Sequence, residues 1–340
     1  MSKLTIVMYH HVREIKNSKY PKIKGLEFVG FKRQLDYLEN NYKIIEAQRL
    51  LDFASGGKDL PKNSCLLTFD DGYKDHIEYV LPELLKRKIQ GSFFPSAGPA
   101  VEQNILDSDY IHFILACCPN YKELISLLNQ LCLDNGITNQ ELKNNWIKYG
   151  IATRFDSKEM RYVKGMLQHL LPRERRIKII KKIFKKYIGI KTEKFSKELY
   201  MAFGDTKKLV YNGMYVGGHG YNHLWMNKEN RKSQEKEIEL TLEFLKNVGA
   251  PIKKWIMCYP FGAYNSETLS LLKEKNCSAG LTIKIGANNL AKDTNLTGVE
   301  SLSTLTNPAA LSMVRSQGSP VALAPDNVAV FNATAAAIVS

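Results

Sequence analysis

Two stretches hold residue types that can do chemistry together. The first is Leu66–Asp75, LLTFDDGYKD, where an apolar run stops at Asp70 and Asp71 and Gly72 follows. Side chains alternate along a strand, so neighbouring carboxylates serve one site only if the chain turns there, and glycine permits that turn. One carboxylate can then bind a metal while its neighbour takes a proton. The second is Tyr215–Trp225, YVGGHGYNHLW, with His219 and His223 four residues apart. Near a helix start, positions i and i+4 share a face, so both imidazoles can reach one ion. Two histidines and a carboxylate around Zn²⁺ leave a position for water, whose pKa the ion lowers to about 7. That is a hydrolase in outline. Each stretch alone is ordinary, since DDG closes many buried strands as a polar turn and a His-x-x-x-His pair is commonly packing or surface.

Together, TFDDGY (Thr68–Tyr73) and HGYNH (His219–His223) resemble the polysaccharide deacetylase family, carbohydrate esterase family 4. MYHHV (Met8–Val12) is similar to that family's opening strand, and YPFGAYN (Tyr259–Asn265) to its substrate-groove motif. The likeness runs over Leu4–Leu106 and Leu209–Ile285. It implies Asp70 as the catalytic base and Asp71, His219 and His223 as ligands of a divalent ion, Zn²⁺ first, with Co²⁺ or Ni²⁺ as alternatives. Tyr73, Tyr259, Pro260 and Phe261 become the substrate contacts. The implied reaction removes an N-acyl group, most often N-acetyl, from an amino sugar or its glycoconjugate precursor; N-deformylation would use the same chemistry.

Two departures from the family stand out. Its closing Leu-x-His motif, the usual source of the general acid, has no counterpart, because no histidine follows His223. Its arginine ahead of the groove proline is absent too, with Cys258 two residues before Pro260. A catalytically weakened, carbohydrate-binding member of the same fold is the competing expectation. For the acid, a period of two puts Leu4, Ile6, Met8 and His10 on one face of the first strand. A barrel interior takes that face, so His10 is the candidate, ahead of His11 and His76. His112 and His169 read as packing or surface residues.

The elements that must position these groups alternate. Apolar runs at Leu4–Tyr9, Lys43–Ile45, Leu66–Phe69, Ser92–Phe94, Met214–Val216, Trp255–Cys258 and Leu281–Ile285 read as strands. Helical spacing separates them, as in Phe31, Leu35, Leu38, Tyr42 and again Ile238, Leu242, Leu245, Val248. Strand, helix, strand in repetition predicts an α/β fold: a distorted (β/α) barrel of about seven parallel strands, with every site residue at a strand exit and hence on one face. Residues 107–208 are different, helical in pattern and basic, and read as an insertion between barrel halves 1–106 and 209–293. Its clearest piece, Arg173–Ile190, sets Ile177, Ile180, Phe184, Tyr187 and Ile188 against lysines and arginines. The tail, 294–340, is atypical and low in charge, with Arg315 its one basic residue.

The chain has 340 residues and a net charge of +14, with a pI near 9.3. The lysines are spread along it and no nucleic-acid motif appears, so nucleic acid is not an expected partner. The basic insertion is a helical cap or, as the functional alternative, a peripheral contact for an anionic membrane. No apolar run reaches the roughly 18 residues of a spanning helix, and the start is too weakly apolar for a signal peptide, which predicts a cytoplasmic protein. The six cysteines lie at no zinc-finger spacing and are expected to be reduced and mostly buried.

Overall fold

The computed structural model describes residues 2–55, 57–153, 156–283, 288–290 and 336–337. They fall into two compact units, one of residues 1–13, 25–103 and 197 onward, the other of 14–24 and 104–196. Helix Phe203–Tyr211 thus belongs with the strands rather than with the basic stretch, and 14–24 joins the helices. No helix among the described residues is long and apolar enough to cross a membrane.

The strands are β1 (Ser2–Tyr9), β2 (Val12–Arg13), β3 (Leu26–Glu27), β4 (Lys43–Ile44), β5 (Ser64–Asp71), β6 (Ser92–Pro95), β7 (Tyr215–Val216), β8 (Trp255–Cys258), β9 (Cys277–Leu281), β10 (Asn288–Leu290) and β11 (Ala336–Ala337). A 6-stranded sheet runs β10-β1-β5-β6-β7 with β4 also on β5, and a 3-stranded sheet runs β11-β9-β8. β1, β5, β6 and β7 are mutually parallel neighbours, as are β8 and β9, while β10 and β11 pair antiparallel. A parallel bridge between Gly218 and Met257 links the two sheets. Every residue of β5 is buried, as expected of a parallel strand covered on both faces.

The alternation splits the core in two. Leu4, Ile6, Leu66, Phe94, Ile256 and Leu281 pack with each other and with helix Ala47–Ala54, whereas Val7, Tyr9, Leu67, Phe69, Phe93 and Met257 pack toward the crossover helices. His10, Asp70 and Cys258 continue the first set by their period of two. One expected strand moves: 281–285 gives way to Cys277–Leu281, because Asn276 turns the chain in left-handed conformation (φ +57°) right after helix Ser266–Glu274. Residues 284–285 lie outside the described residues, as does the tail from Thr294 apart from β11.

The second unit is helical. Helices Asp107–Cys117, Tyr121–Leu133, Asn139–Tyr149, Lys158–Gly165 and Arg173–Tyr187 surround edge-to-face contacts among Phe113, Phe184 and Phe195. In Arg173–Tyr187 the buried residues are Ile179, Ile180, Ile183 and Phe184, and Ile177 and Tyr187 are only half-buried. The basic residues occupy the opposite side.

Candidate active site

The carboxylates come from the end of β5. Asp70 is the last regular inward residue, and Asp71 takes a left-handed conformation (φ +69°), followed by Gly72 at φ +77°. The turn therefore begins one residue ahead of the glycine. A Cβ on Gly72 would lie 2.7 Å from Pro95 Cβ, so a side chain is excluded there on two grounds.

The histidines are brought together by a loop, not by the start of a helix as the spacing predicts. Residues 217–225 have no helical turn; Gly220 (φ +73°) and His223 (φ +55°) reverse the chain instead. What fixes that loop is Glu237, buried in helix Arg231–Val248, whose Oε2 accepts the N–H groups of Tyr221 and Asn222, each at 2.8 Å. Such charge-assisted bonds are the strong kind. Ser96 donates to the His219 carbonyl, and the N–H of Ala97 to that of Gly220. Gly217 and Gly218 are required by closeness: a Cβ would lie 2.6 Å from Phe94 and 2.7 Å from Trp255.

Asp71, His219 and His223 converge, each offering a ligand atom within 4.8 Å of the others. Both Nε2 atoms lie 3.3 Å from Asp71 Oδ1, which is buried and accepts no hydrogen bond. Asp71 Oδ2 accepts from the Tyr73 hydroxyl at 2.9 Å. His219 donates its Nδ1–H to the Cys258 carbonyl at 2.7 Å, which leaves Nε2 as the lone-pair nitrogen. Burial pushes the His223 imidazole down to about 3, so it is neutral and a competent donor near neutral pH. Burial opposes charge on Asp71, but the imidazoles of His223, His219 and His10 outweigh it and hold the carboxyl well below its usual range. Burial likewise opposes the charged form of His219, yet Asp71 and Asp70 raise its pKa. A buried orphan oxygen between two neutral-capable imidazoles fits a divalent cation.

Asp70 lies beside this cluster. It is 2% exposed, Oδ1 has no hydrogen bond, and the Cys258 thiol reaches Oδ2 at 3.5 Å. Burial raises its pKa, against the pull of His219 and His10. His10 stands at the β1 exit with 44% of its side chain exposed, Nε2 3.7 Å from Asp71 Oδ2. Its carbonyl accepts from His76 Nε2 at 2.9 Å. His11 is buried, paired with the buried Asp75 at 3.1 Å and stacked on Tyr73.

The 259–261 loop divides. Tyr259 is buried, stacked on Tyr264 and in contact with Gly280 through its ring, so its face is turned inward; Pro260 is buried as well. The Tyr259 N–H donates to the Leu281 carbonyl and is not available to an oxyanion. Phe261, half-buried at φ +57°, is the member that reaches the site, its ring centroid 4.5 Å from that of His223. Sequence reasoning passed over Glu237, Trp225 and the contacts of Cys258; only the last had a signal, its place two residues before Pro260.

Residues 190–280 match the polysaccharide deacetylase family. The resemblance read from the sequence is borne out there, over both histidines and the Tyr259–Phe261 loop. The fold likeness covers a larger share of the chain. The Streptococcus pyogenes deacetylase PplD in complex with acetate aligns over 84% of this chain and 86% of its own, at 15% identity and a TM-score of 0.50. IcaB from Ammonifex degensii aligns over 84% and 85% at 18% identity (TM-score 0.48). A de-N-acetylase from Aggregatibacter actinomycetemcomitans aligns over 85% and 92% at 13% identity (TM-score 0.49). No curated protein matches the sequence significantly.

Proposed function

We propose that this protein is a metal-dependent N-deacetylase of an amino sugar or its glycoconjugate precursor. The observation that carries this reading is the convergence of the buried Asp71 Oδ1 with the Nε2 atoms of His219 and His223, each 3.3 Å away. Zn²⁺ suits that donor set, with Co²⁺ or Ni²⁺ as alternatives, and would supply Lewis acidity and a water of lowered pKa. The rest falls to the chain's own groups. Asp70, raised in pKa by burial and open at Oδ1, takes the proton of the attacking water. Tyr73 orients Asp71 through its hydroxyl, and Phe261 walls the cleft. His10, exposed beside Asp71, protonates the departing amine, since an amide nitrogen leaves with difficulty as an anion. The fold reading that accompanies this is a distorted (β/α) barrel of about seven strands, supported by the two-sided core and the sheet-linking bridge at Gly218.

The expectation of a cytoplasmic protein makes nucleotide-linked and lipid-linked N-acetyl sugars the first substrates to test. Acetate release from these by Zn²⁺-loaded protein is the deciding assay. Formate release from N-formyl sugars, without acetate release, favours the deformylase. Sugar binding with neither product favours the weakened member, a reading supported by the missing histidine motif and by a thiol where the family has an arginine. Helix Arg173–Tyr187 supports peripheral contact with an anionic membrane, since Arg175, Lys178, Lys181, Lys182, Lys185 and Lys186 are exposed and enter no ion pair among the described residues.

A further inference from the structure

One chain of ring contacts leads away from the candidate metal ligands through Phe261 to Trp225, which has no part in the chemistry described so far. His219 and His223 meet edge to face, with ring centroids 4.8 Å apart. His223 meets Phe261 at 4.5 Å and 67°. Phe261 stacks on Trp225 at 4.2 Å and 6°, close to parallel. The Lys228 ammonium lies over the Trp225 ring, 4.5 Å from its centroid. With Phe261 on one face at stacking distance, the ammonium is left the other.

Both faces of Trp225 are thus in use, and a sugar ring has none to stack on. What the indole does instead is hold Phe261. That residue has a left-handed backbone (φ +57°), unfavourable for an aromatic residue, and its ring is half-buried. His223 is likewise left-handed (φ +55°). Hydrogen bonding ties His219 down through Nδ1. His223 interacts with its own backbone and with Asp71, and the side chain packed on its ring is aromatic, so packing against Phe261 contributes to its orientation. Stacked aromatic pairs and a cation over an indole face are both favourable in partly exposed positions.

We infer that Trp225 is a positioning residue for the metal ligand His223, acting through Phe261, with Lys228 holding the indole in place. The inference rests on the metal reading above. It separates Phe261, whose ring meets that of His223, from Trp225, which is assigned to act through Phe261.

The test measures Zn²⁺ affinity by competition with a chromophoric chelator, and the visible spectrum of the Co²⁺ protein, for the parent and for Trp225→Ala, Trp225→Leu and Trp225→Phe. Outer groups that orient a ligand commonly change metal affinity by about 10- to 100-fold. Trp225→Ala and Trp225→Leu should lose affinity in that range and shift the Co²⁺ bands, while Trp225→Phe, which can still stack, should recover most of it. The leucine variant fills the space, so it covers the case in which the alanine variant fails to fold. Parent-like affinity and Co²⁺ spectrum in a folded Trp225→Leu protein would overturn the inference and leave the metal reading intact. A parent that binds no metal would overturn both.

Discussion

The Cys258 carbonyl accepts the Nδ1–H of His219 across 2.7 Å, and the thiol of the same residue lies 3.5 Å from Asp70 Oδ2. One residue of β8 therefore touches both His219, a proposed metal ligand, and Asp70, the proposed base. The ligand is oriented by backbone, so that contact survives any side chain at 258. Asp70, the proposed base, has a neutral thiol beside it where the family often places an arginine, and burial raises the thiol's own pKa further. The nearby His219 and His10 oppose the rise in Asp70's pKa that burial causes.

Loss of a ligand and loss of the base should look different. His219→Ala or His223→Ala should abolish binding of about one divalent ion, measured by elemental analysis after loading and desalting. Asp71→Asn should lose metal affinity before anything else. Asp70→Asn should keep the ion and lose turnover by about 10²-fold or more. Equal metal loss in both asparagine variants would mean that the two carboxylates have been assigned the wrong way round.

His10 and His11 should separate chemistry from stability. His10→Ala is expected to lower kcat by about 10²- to 10⁴-fold with metal content unchanged. His11 is buried against Asp75 and stacked on Tyr73, so His11→Ala should cost about 1–3 kcal/mol of stability and leave turnover near the parent's at temperatures where it is folded. Near-parental turnover of His10→Ala would point to a water or another residue as the acid.

His76 should make the fold sensitive to acid. Burial pushes its pKa from 6.5 down to about 4, against a hydrogen bond to the His10 carbonyl. As pH falls from about 6.5 to about 4 the unfolded chain takes up the proton first, so stability is lost across that window and is complete above it. The contribution is on the order of 3 kcal/mol at the acid end. Urea unfolding at several pH values should show His76→Gln losing less than the parent between pH 7 and pH 4.5. Parallel pH dependences in the two proteins would refute this assignment.

The cationic side of helix Arg173–Tyr187 should bind anionic vesicles and not neutral ones, with affinity falling steeply as salt rises. Co-sedimentation with phosphatidylcholine vesicles, with and without phosphatidylglycerol, checks this. The triple variant Lys178→Glu, Lys182→Glu, Lys185→Glu should remain in the supernatant. Equal sedimentation of parent and variant, or equal binding to neutral vesicles, removes the membrane from the reading.

The sequence by itself determined which residues can do the chemistry and where along the chain they stand. Apolar runs that end in Asp70, His10 and Cys258 fix strand exits, because burial on both faces of a parallel strand leaves no room for charge until the strand stops. The four-residue spacing of His219 and His223 marked a candidate metal pair, although the local geometry it suggested was a helix. Only the tertiary structure decided how that pair closes: a carboxylate 14 or more residues downstream, Glu237, binds the loop's N–H groups and makes left-handed His223 tolerable. It also decided that Tyr259 turns inward while Phe261 faces the ligand, and that Cys258 sits against Asp70 at a separation of 188 residues. Such contacts join residues far apart in the chain, so no local periodicity encodes them; they follow from which strands become neighbours and which side chains then compete for the same space.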